Sequence, residues 1–296
     1  MEEKIENLIK LPIAERLKFA KFIATNRKKF ISSPKVTAQK STSSNSDLIL
    51  GLLNERYITK AIIELRELSY DEFLKEESIF NSFILREISE KFDAPKERLD
   101  YFCHQLNGMD NTNFDSLRDN VRDIFGMYSG YISPYVYQLF LSNTQSRRSR
   151  AGSVFEGIIY FLYEHYGYPY ASQASIGKKH FSDLGLGKVV DSILPSVDAF
   201  NQRRDKTIVG TMKTTLRERW QEVVEEVARS NLPNIHLLTV DDTISSDKAD
   251  QMAKHNIVLV VRNDIKSRDE LRHRRSIIDF ETYFLDELPS TLKFWS

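Results

Sequence analysis

Thr207-Ile208-Val209-Gly210-Thr211-Met212-Lys213-Thr214-Thr215-Leu216-Arg217-Glu218-Arg219-Trp220 reads as a strand that ends on a lysine, a sharp turn through two threonines, and a helix whose first turn carries Arg-Glu-Arg. Alternation along the strand sets Thr207, Val209, Thr211 and Lys213 on one face. The helix start is unusual. The macrodipole disfavours cations near a helix N-terminus, by a few tenths to about 1 kcal/mol each at exposed sites, yet Arg217 and Arg219 both stand there. A negatively charged partner outside the helix is the simplest compensation.

Working outward, the flanking elements are α/β in order. The pattern predicts a strand near Lys188 to Leu194, the strand of the quoted stretch, and its helix to about Arg229. A strand Ile235 to Val240, a short helix Ser246 to His255 and an apolar strand Ile257 to Val261 follow as a parallel βαβ unit. A final helix, Ser276 to Leu285, closes this region. Upstream, Thr144 to Gly152 is basic and hydroxyl-rich. Ser153 and Glu156 then fit a capping box before the apolar helix Ile158 to Tyr166. The expected division is a mainly helical region 1–143 and an α/β domain 144–296. Residues 1–31 have helical periodicity interrupted by Pro12, residues 32–46 are a polar linker or mobile loop, and residues 47–142 are again mainly helical, with a turn at Gly108-Met109-Asp110-Asn111.

Composition limits the partners. Of 296 residues 41% are apolar, enough for a sizeable core, and Lys+Arg and Asp+Glu each total 42. The whole molecule therefore has no net field to steer it onto nucleic acid or an anionic membrane, and attraction to phosphate has to come from local clusters. The single cysteine, Cys103, excludes an intramolecular disulfide framework and a multi-cysteine metal site, and suits a reducing compartment. The six histidines are scattered without metal-ligand spacing. No signal-peptide pattern opens the chain and no apolar run reaches the roughly 18 residues that span a bilayer. A cytoplasmic protein with no membrane segment is expected.

Asp191 lies inside the apolar run Val189 to Pro195, where an unpaired carboxylate is costly to bury, so it calls for a cation. Lys213 is the cation at the neighbouring strand end, although a lysine there is also an ordinary solvent-facing residue. Helical spacing places Thr215, Arg219, Glu222 and Glu226 along one stripe. Lys213, Asp191 and Glu226, with Glu156 as a fourth member, form a set that suits Mg²⁺, a hard ion preferring oxygen ligands. Such an ion activates water and stabilises charge on a phosphate under in-line attack. Taken singly, Glu226 reads equally as a solvated face charge and Glu156 as a helix cap. Arginine makes a bidentate contact to guanine and a carboxylate accepts from cytosine, so Arg217, Glu218 and Arg219 can read G and C together. The alternatives are a capping box from Thr215 and Glu218, and ion pairs within the domain.

Lys213-Thr214-Thr215-Leu216-Arg217-Glu218-Arg219-Trp220 resembles the Lys-x-x-Leu-Arg-Glu-Arg-Trp signature of type II restriction endonucleases of the EcoRII, SsoII and PspGI group, a branch of the PD-(D/E)XK nucleases. The resemblance runs from about Gln145 to Val261, through Ser153 to Glu156, Val190-Asp191 with Pro195-Ser196, and Glu226. It implies a restriction-endonuclease-like central mixed sheet flanked by helices, with Asp191, Lys213 and Glu226 as the catalytic centre, Glu156 as an additional acid, and Asp191 and Glu226 as Mg²⁺ ligands. The superfamily's usual acid two positions before the lysine is here Thr211, and this branch moves it to the following helix, where Glu226 stands. The resemblance further implies a homodimer on double-stranded DNA with a CCNGG-like or CCWGG-like core. Arg217 and Arg219 would read guanines, Glu218 cytosines, and Gln145 the central bases. Arg147, Arg148 and Arg150 fit phosphate contacts. Some members flip the central nucleotides against an aromatic ring; Phe92 and Phe102 are the rings considered, and both also fit core positions. Two rivals are a structure-specific repair or recombination nuclease of this fold, and a sequence-specific DNA-binding protein without hydrolysis.

Overall fold

The computed structural model describes residues 11–109, 113–187, 189–216, 219–230 and 232–295. In chain order the longer helices are α1 (Ile13–Phe30), α2 (Pro34–Ser44), α3 (Ser46–Asn54), α4 (Ile58–Lys91), α5 (Asp93–Asn107), α6 (Phe114–Tyr131) and α7 (Ser133–His165). The α/β part follows with β1 (Ala171–Ser172), β2 (Ser192–Leu194), β3 (Ile208–Lys213), α8 (Arg219–Ser230), β4 (Ile235–Thr239), α9 (Ser246–Lys254), β5 (Ile257–Val261) and β6 (Ile277–Asp279). Among the described residues no helix is long and apolar enough to cross a membrane.

The residues form two compact units, one of residues up to Ser33 with Tyr70–Ser149, the other of Pro34–Ser69 with Arg150–Ser296. The region 1–143 expected to be helical is shared between these two units. Residues 34–69 belong with the α/β part because they carry apolar side chains for its core: Ile49, Leu53, Ile58, Ile62 and Leu65 are buried with Phe155, Ile159 and Leu162.

The all-helical unit packs around aromatic rings. Phe73, Phe80, Ile84 and Ile88 recur at helical spacing on α4 and are buried with Phe19, Ile23, Phe92 and Leu139. Each fully buried ring of this kind contributes about 1.5–3 kcal/mol over its exposed state.

The second unit is built on a sheet of order β1-β2-β3-β4-β5-β6. β1, β2 and β3 pair antiparallel, with Ile193 opposite Val209 and Leu194 opposite Ile208. β3 to β6 run parallel through helical crossovers. Strand alternation sends Leu194, Ile208, Met212, Leu238 and Val260 to one apolar cluster, shared with α3, the start of α4 and the end of α7. Ile193, Val209, Leu237 and Leu259 go to the other, shared with Val223 and Val227 of α8 and Met252 of α9. The Lys213 face, read from period two, is therefore the α8 face of the sheet.

Four local expectations are corrected. The polar segment 32–46 is not a linker or mobile loop but contains α2, because its small residues pack: Thr37, Ala38 and Ser41 are buried. A Cβ on Gly157 would lie 3.7 Å from the Ala38 Cβ, and Arg150 donates to the Thr37 hydroxyl. No helix begins at Ser153; α7 runs unbroken through the basic stretch, so Ser153 and Glu156 are mid-helix and do not cap. The strand expected from Lys188 is three residues long, with Asp191 just before it. The final helix is instead β6, drawn into strand by parallel pairing of Ile277 with Leu259, followed by helical stretches from Phe280 to Leu292.

Candidate active site

β2 and β3 bring the first pair of predicted residues together. Ser192 pairs with Gly210, so the next position places Asp191 opposite Thr211, at the carboxyl end of β3 where open α/β sheets present their ligands. The Asp191 amide donates to the Gly210 carbonyl at 2.9 Å. The residue is 9% exposed, and the hydrogen bonds its carboxylate accepts from described residues all converge on Oδ2. These come from the Met212 amide at 2.7 Å, the Thr211 hydroxyl at 3.4 Å and Lys213 Nζ at 3.5 Å. Thr211, where the superfamily has its second acid, thus serves as a donor to the first one. Burial raises the Asp191 carboxyl above the usual range, even against the Lys213 charge and these donors.

α7 closes the same place from the side. Tyr160 donates from its hydroxyl to the main-chain carbonyl of Asp191 at 2.9 Å. It lies one helical turn after Glu156, which is half-buried. Burial first, then the charges of Asp191 and Glu156, push the Tyr160 phenol far above its ordinary range. Glu156 is therefore in electrostatic reach of the Asp191 neighbourhood.

Glu226 sits differently. It is 4% exposed, and both carboxylate oxygens are engaged. Oε1 accepts from the Gly187 amide at 2.5 Å and the Ser230 hydroxyl at 2.6 Å, and Arg229 Nη2 lies 2.8 Å from both oxygens. Gly187 is glycine for a steric reason: a Cβ there would fall 2.1 Å from Glu226 Oε2 and 2.0 Å from Arg229 Nη2. Glu226 borders an open cleft whose walls include Gln173, Val189, Glu222 and Glu225. Among the described residues no three His, Cys, Asp or Glu side chains form a group able to hold a metal.

The turn between β3 and α8 has an anchor that sequence reasoning missed. Asp241, just past β4, accepts the Leu216 amide at 2.6 Å through Oδ2 and the Thr243 amide and hydroxyl through Oδ1. Burial raises its carboxyl, and these donors outweigh burial and hold it below the usual range. An aspartate two residues past a strand, followed by a threonine two further on, is the signal that was available.

A family model described as EcoRII C terminal matches residues 126–284. The chain belongs to this family. Among curated proteins it is similar to the type II restriction enzyme SsoII of Shigella sonnei, 35% identical over 183 residues, covering 62% of this chain and 57% of that one. The chain thus spans little more than half the length of that relative. Among solved structures it is similar to metal-depleted Ecl18kI in complex with uncleaved, modified DNA, with TM-score 0.72 and 28% identity over 95% of this chain and 86% of that chain. A restriction endonuclease PspGI–substrate DNA complex shares the fold, with TM-score 0.59 and 18% identity over 89% and 94%. These findings support the restriction-endonuclease-like mixed sheet expected for the branch.

The remaining predicted residues of this EcoRII C-terminal chain are placed as follows. Arg217 and Glu218 lie outside the described residues, and only the backbone of Arg219, at the start of α8, lies within them. Gln145 and Arg148 are exposed on α7. Arg147 is paired with the buried carboxylate of Glu77 rather than standing free. Arg150 is engaged with Thr37. Phe92 is enclosed by Phe19, Phe22 and Tyr135 at ring distances of 5.4, 5.9 and 5.5 Å. Phe102 is buried on α5 with Tyr101 against its edge. Neither ring presents an open face to a base in this structure.

Proposed function

We propose that this protein is a type II restriction endonuclease that hydrolyses double-stranded DNA, with Mg²⁺, at a palindrome with a CCNGG-like or CCWGG-like core. The observation that carries the reading is the largely buried Asp191–Lys213 pair, 3.5 Å apart, at the end of the strand that precedes Arg217, Glu218 and Arg219 in the sequence.

Asp191 fits a hard divalent ion. Its accepted bonds gather on Oδ2, leaving Oδ1 as an oxygen donor, and Mg²⁺ is commonly held by one or two carboxylates with water and substrate phosphate completing the shell. The ion, when bound there, supplies charge for a phosphate oxygen and a more acidic water. Lys213, whose Nζ lies 3.5 Å from Asp191 Oδ2, would offset the charge that builds up on the same phosphate and orient the nucleophile. Burial of Asp191 keeps the site dry enough for these charges to act strongly. Glu226 would be the second acid of this centre, and to hold the ion it would have to give up one of its present donors, Gly187, Ser230 or Arg229. Glu156 adds negative potential from α7. Base reading is assigned to Arg217, Glu218 and Arg219, and the central bases to Gln145. Arg148, exposed beside Gln145, takes a phosphate.

The protein acts as a cytoplasmic homodimer on this reading. Support for the second copy comes from α6, which has no buried residue. Phe114, Leu117, Val121 and Phe125 are exposed along one side of it. Its arginines are neutralised within the helix, Arg118 by Asp115 and Arg122 by Asp119.

Incubating purified protein with plasmid DNA and Mg²⁺ and sequencing the fragment ends tests the proposal. Discrete fragments sharing one CC/GG-centred site are expected. A smear, or cutting directed by DNA structure and unaffected by Glu218→Ala, points to a repair-type nuclease instead. Duplex binding without any cutting points to a non-catalytic binder.

A further inference from the structure

The segment from Gly187 to Asp191 has a carboxylate contact at each end. Gly187 donates its amide to Glu226 at 2.5 Å, and Asp191 carries the carboxylate paired with Lys213. One side chain ties these ends together. Gln173 follows β1, and the antiparallel register of Ala171 with Ile193 and Ser172 with Ser192 carries it to a position beside Asp191. Its side-chain amide donates to the Val190 carbonyl at 2.6 Å and the Gly187 carbonyl at 3.3 Å, and its main-chain amide donates to the Asp191 carbonyl at 3.4 Å.

A primary amide has two N–H donors, and Gln173 spends both on carbonyls of this one segment. Its own base is rigid. Ser172 caps the turn Gln173–Ile176, its hydroxyl accepting the Ser175 amide while the Ser175 hydroxyl accepts the Ser172 amide. Residues 189–190 form no strand pairing; the burial of Val190 and the bonds of Asp191 to Gly210 and Tyr160 hold the far end of this stretch, and Gln173 is the side chain that joins that end to Gly187.

We infer that Gln173 is a positioning residue for the cleavage centre: by clamping the carbonyls of Gly187 and Val190 it fixes where Asp191 stands relative to the loop that holds Glu226. The inference rests on the reading of Asp191 as the metal-binding carboxylate. Gln173 touches neither the reacting phosphate nor the ion. Its effect passes through the Val190–Asp191 peptide, and groups that orient metal ligands in this way commonly govern affinity by about 10- to 100-fold.

The test is Gln173→Met, which keeps the length of the side chain and removes both donors, with Gln173→Ala as a second variant. Mn²⁺ is titrated calorimetrically into the whole chain bound to a duplex whose scissile phosphates are replaced by a non-hydrolysable analogue, beside single-turnover cleavage of the ordinary duplex, metal-free duplex affinity and the melting temperature. Mn²⁺ affinity and the cleavage rate at fixed metal are expected to fall by about 10- to 100-fold. Metal-free duplex affinity stays at the wild-type value, and raising the metal concentration restores part of the rate. Wild-type Mn²⁺ affinity in either folded variant overturns the inference. So does a loss of duplex binding in step with cleavage, or a fall in melting temperature large enough to account for the lost rate. Asp191→Ala run alongside separates the two ideas. If it cleaves normally the underlying reading has failed; if it is inactive while Gln173→Met behaves as wild type, only the role of Gln173 has.

Discussion

Asp191 and Glu226 are two buried carboxylates assigned to one centre, and they are held in opposite ways. Asp191 gathers an amide, a hydroxyl and a lysine on a single oxygen, and burial raises its carboxyl. Glu226 has both oxygens occupied by Gly187, Ser230 and Arg229. A carboxylate with one oxygen spare is ready to take an ion, whereas one with both engaged must give up a donor first. The resemblance marks both residues alike, and only the hydrogen bonds separate them.

The largest effect is expected at Asp191. Asp191→Asn removes the spare anionic oxygen, so single-turnover cleavage falls by about 10²–10³-fold, while gel shifts without metal show duplex binding preserved. Because the Asp191 carboxyl is raised, protons compete with the ion at higher pH than for an ordinary aspartate near 3.8. The acid limb of the cleavage profile should therefore lie above that value, falling as pH drops through the raised one.

Next comes the Glu226 end. Gly187→Ala introduces a Cβ where the Glu226 and Arg229 side chains already stand. The rate should fall by about 10- to 100-fold through displacement of a supporting contact, with a loss of stability of about 1–3 kcal/mol from the overpacking. An unchanged rate and melting temperature in this variant would remove the contrast between the two carboxylates.

Smaller again is Asp241→Ala, which strips the Leu216 amide of its acceptor and should cost about 1–3 kcal/mol in urea unfolding. Its carboxyl is held below the usual range, so this contribution is present above the ordinary carboxylate value and is lost as pH falls through the lowered one. Stability of the Asp241→Ala protein should depend less on pH in that acid window. Smallest is the contrast between two neighbouring arginines. Arg148→Ala should reduce the salt dependence of DNA binding by roughly one phosphate contact. Arg147→Ala should chiefly lower the melting temperature, because it leaves Glu77 buried without its partner.

Much of the sheet could be read from the chain because its signals are local. The alternation of Thr207 to Lys213, the apolar run Ile257 to Val261 and the βαβ spacing each reflect one element and its period. Asp191 was legible because a carboxylate in an apolar run demands a partner, and Lys213 is that partner. What could not be read depends on contacts distant in sequence. α2 is helical although polar, because Thr37, Ala38 and Ser41 are small enough to be buried. β6 is a strand because β5 offers it an edge. Asp241, Gln173 and Gly187 serve the site through hydrogen bonds that have a main-chain atom as one partner, which leave almost no mark on composition or spacing. Phe92 matched both a stacking role and a core role by pattern, and the surrounding rings of Phe19, Phe22 and Tyr135 place it in the core.

The account's central claim is that Lys213 and Asp191 form a cleavage centre distinct from the bases read by the adjoining helix. Lys213→Ala tests it most directly, assayed on one duplex containing the site found by end sequencing, for both binding and Mg²⁺-dependent cutting. Wild-type affinity with cleavage abolished is predicted. Cleavage persisting at the wild-type rate, or binding lost together with it, would contradict the claim.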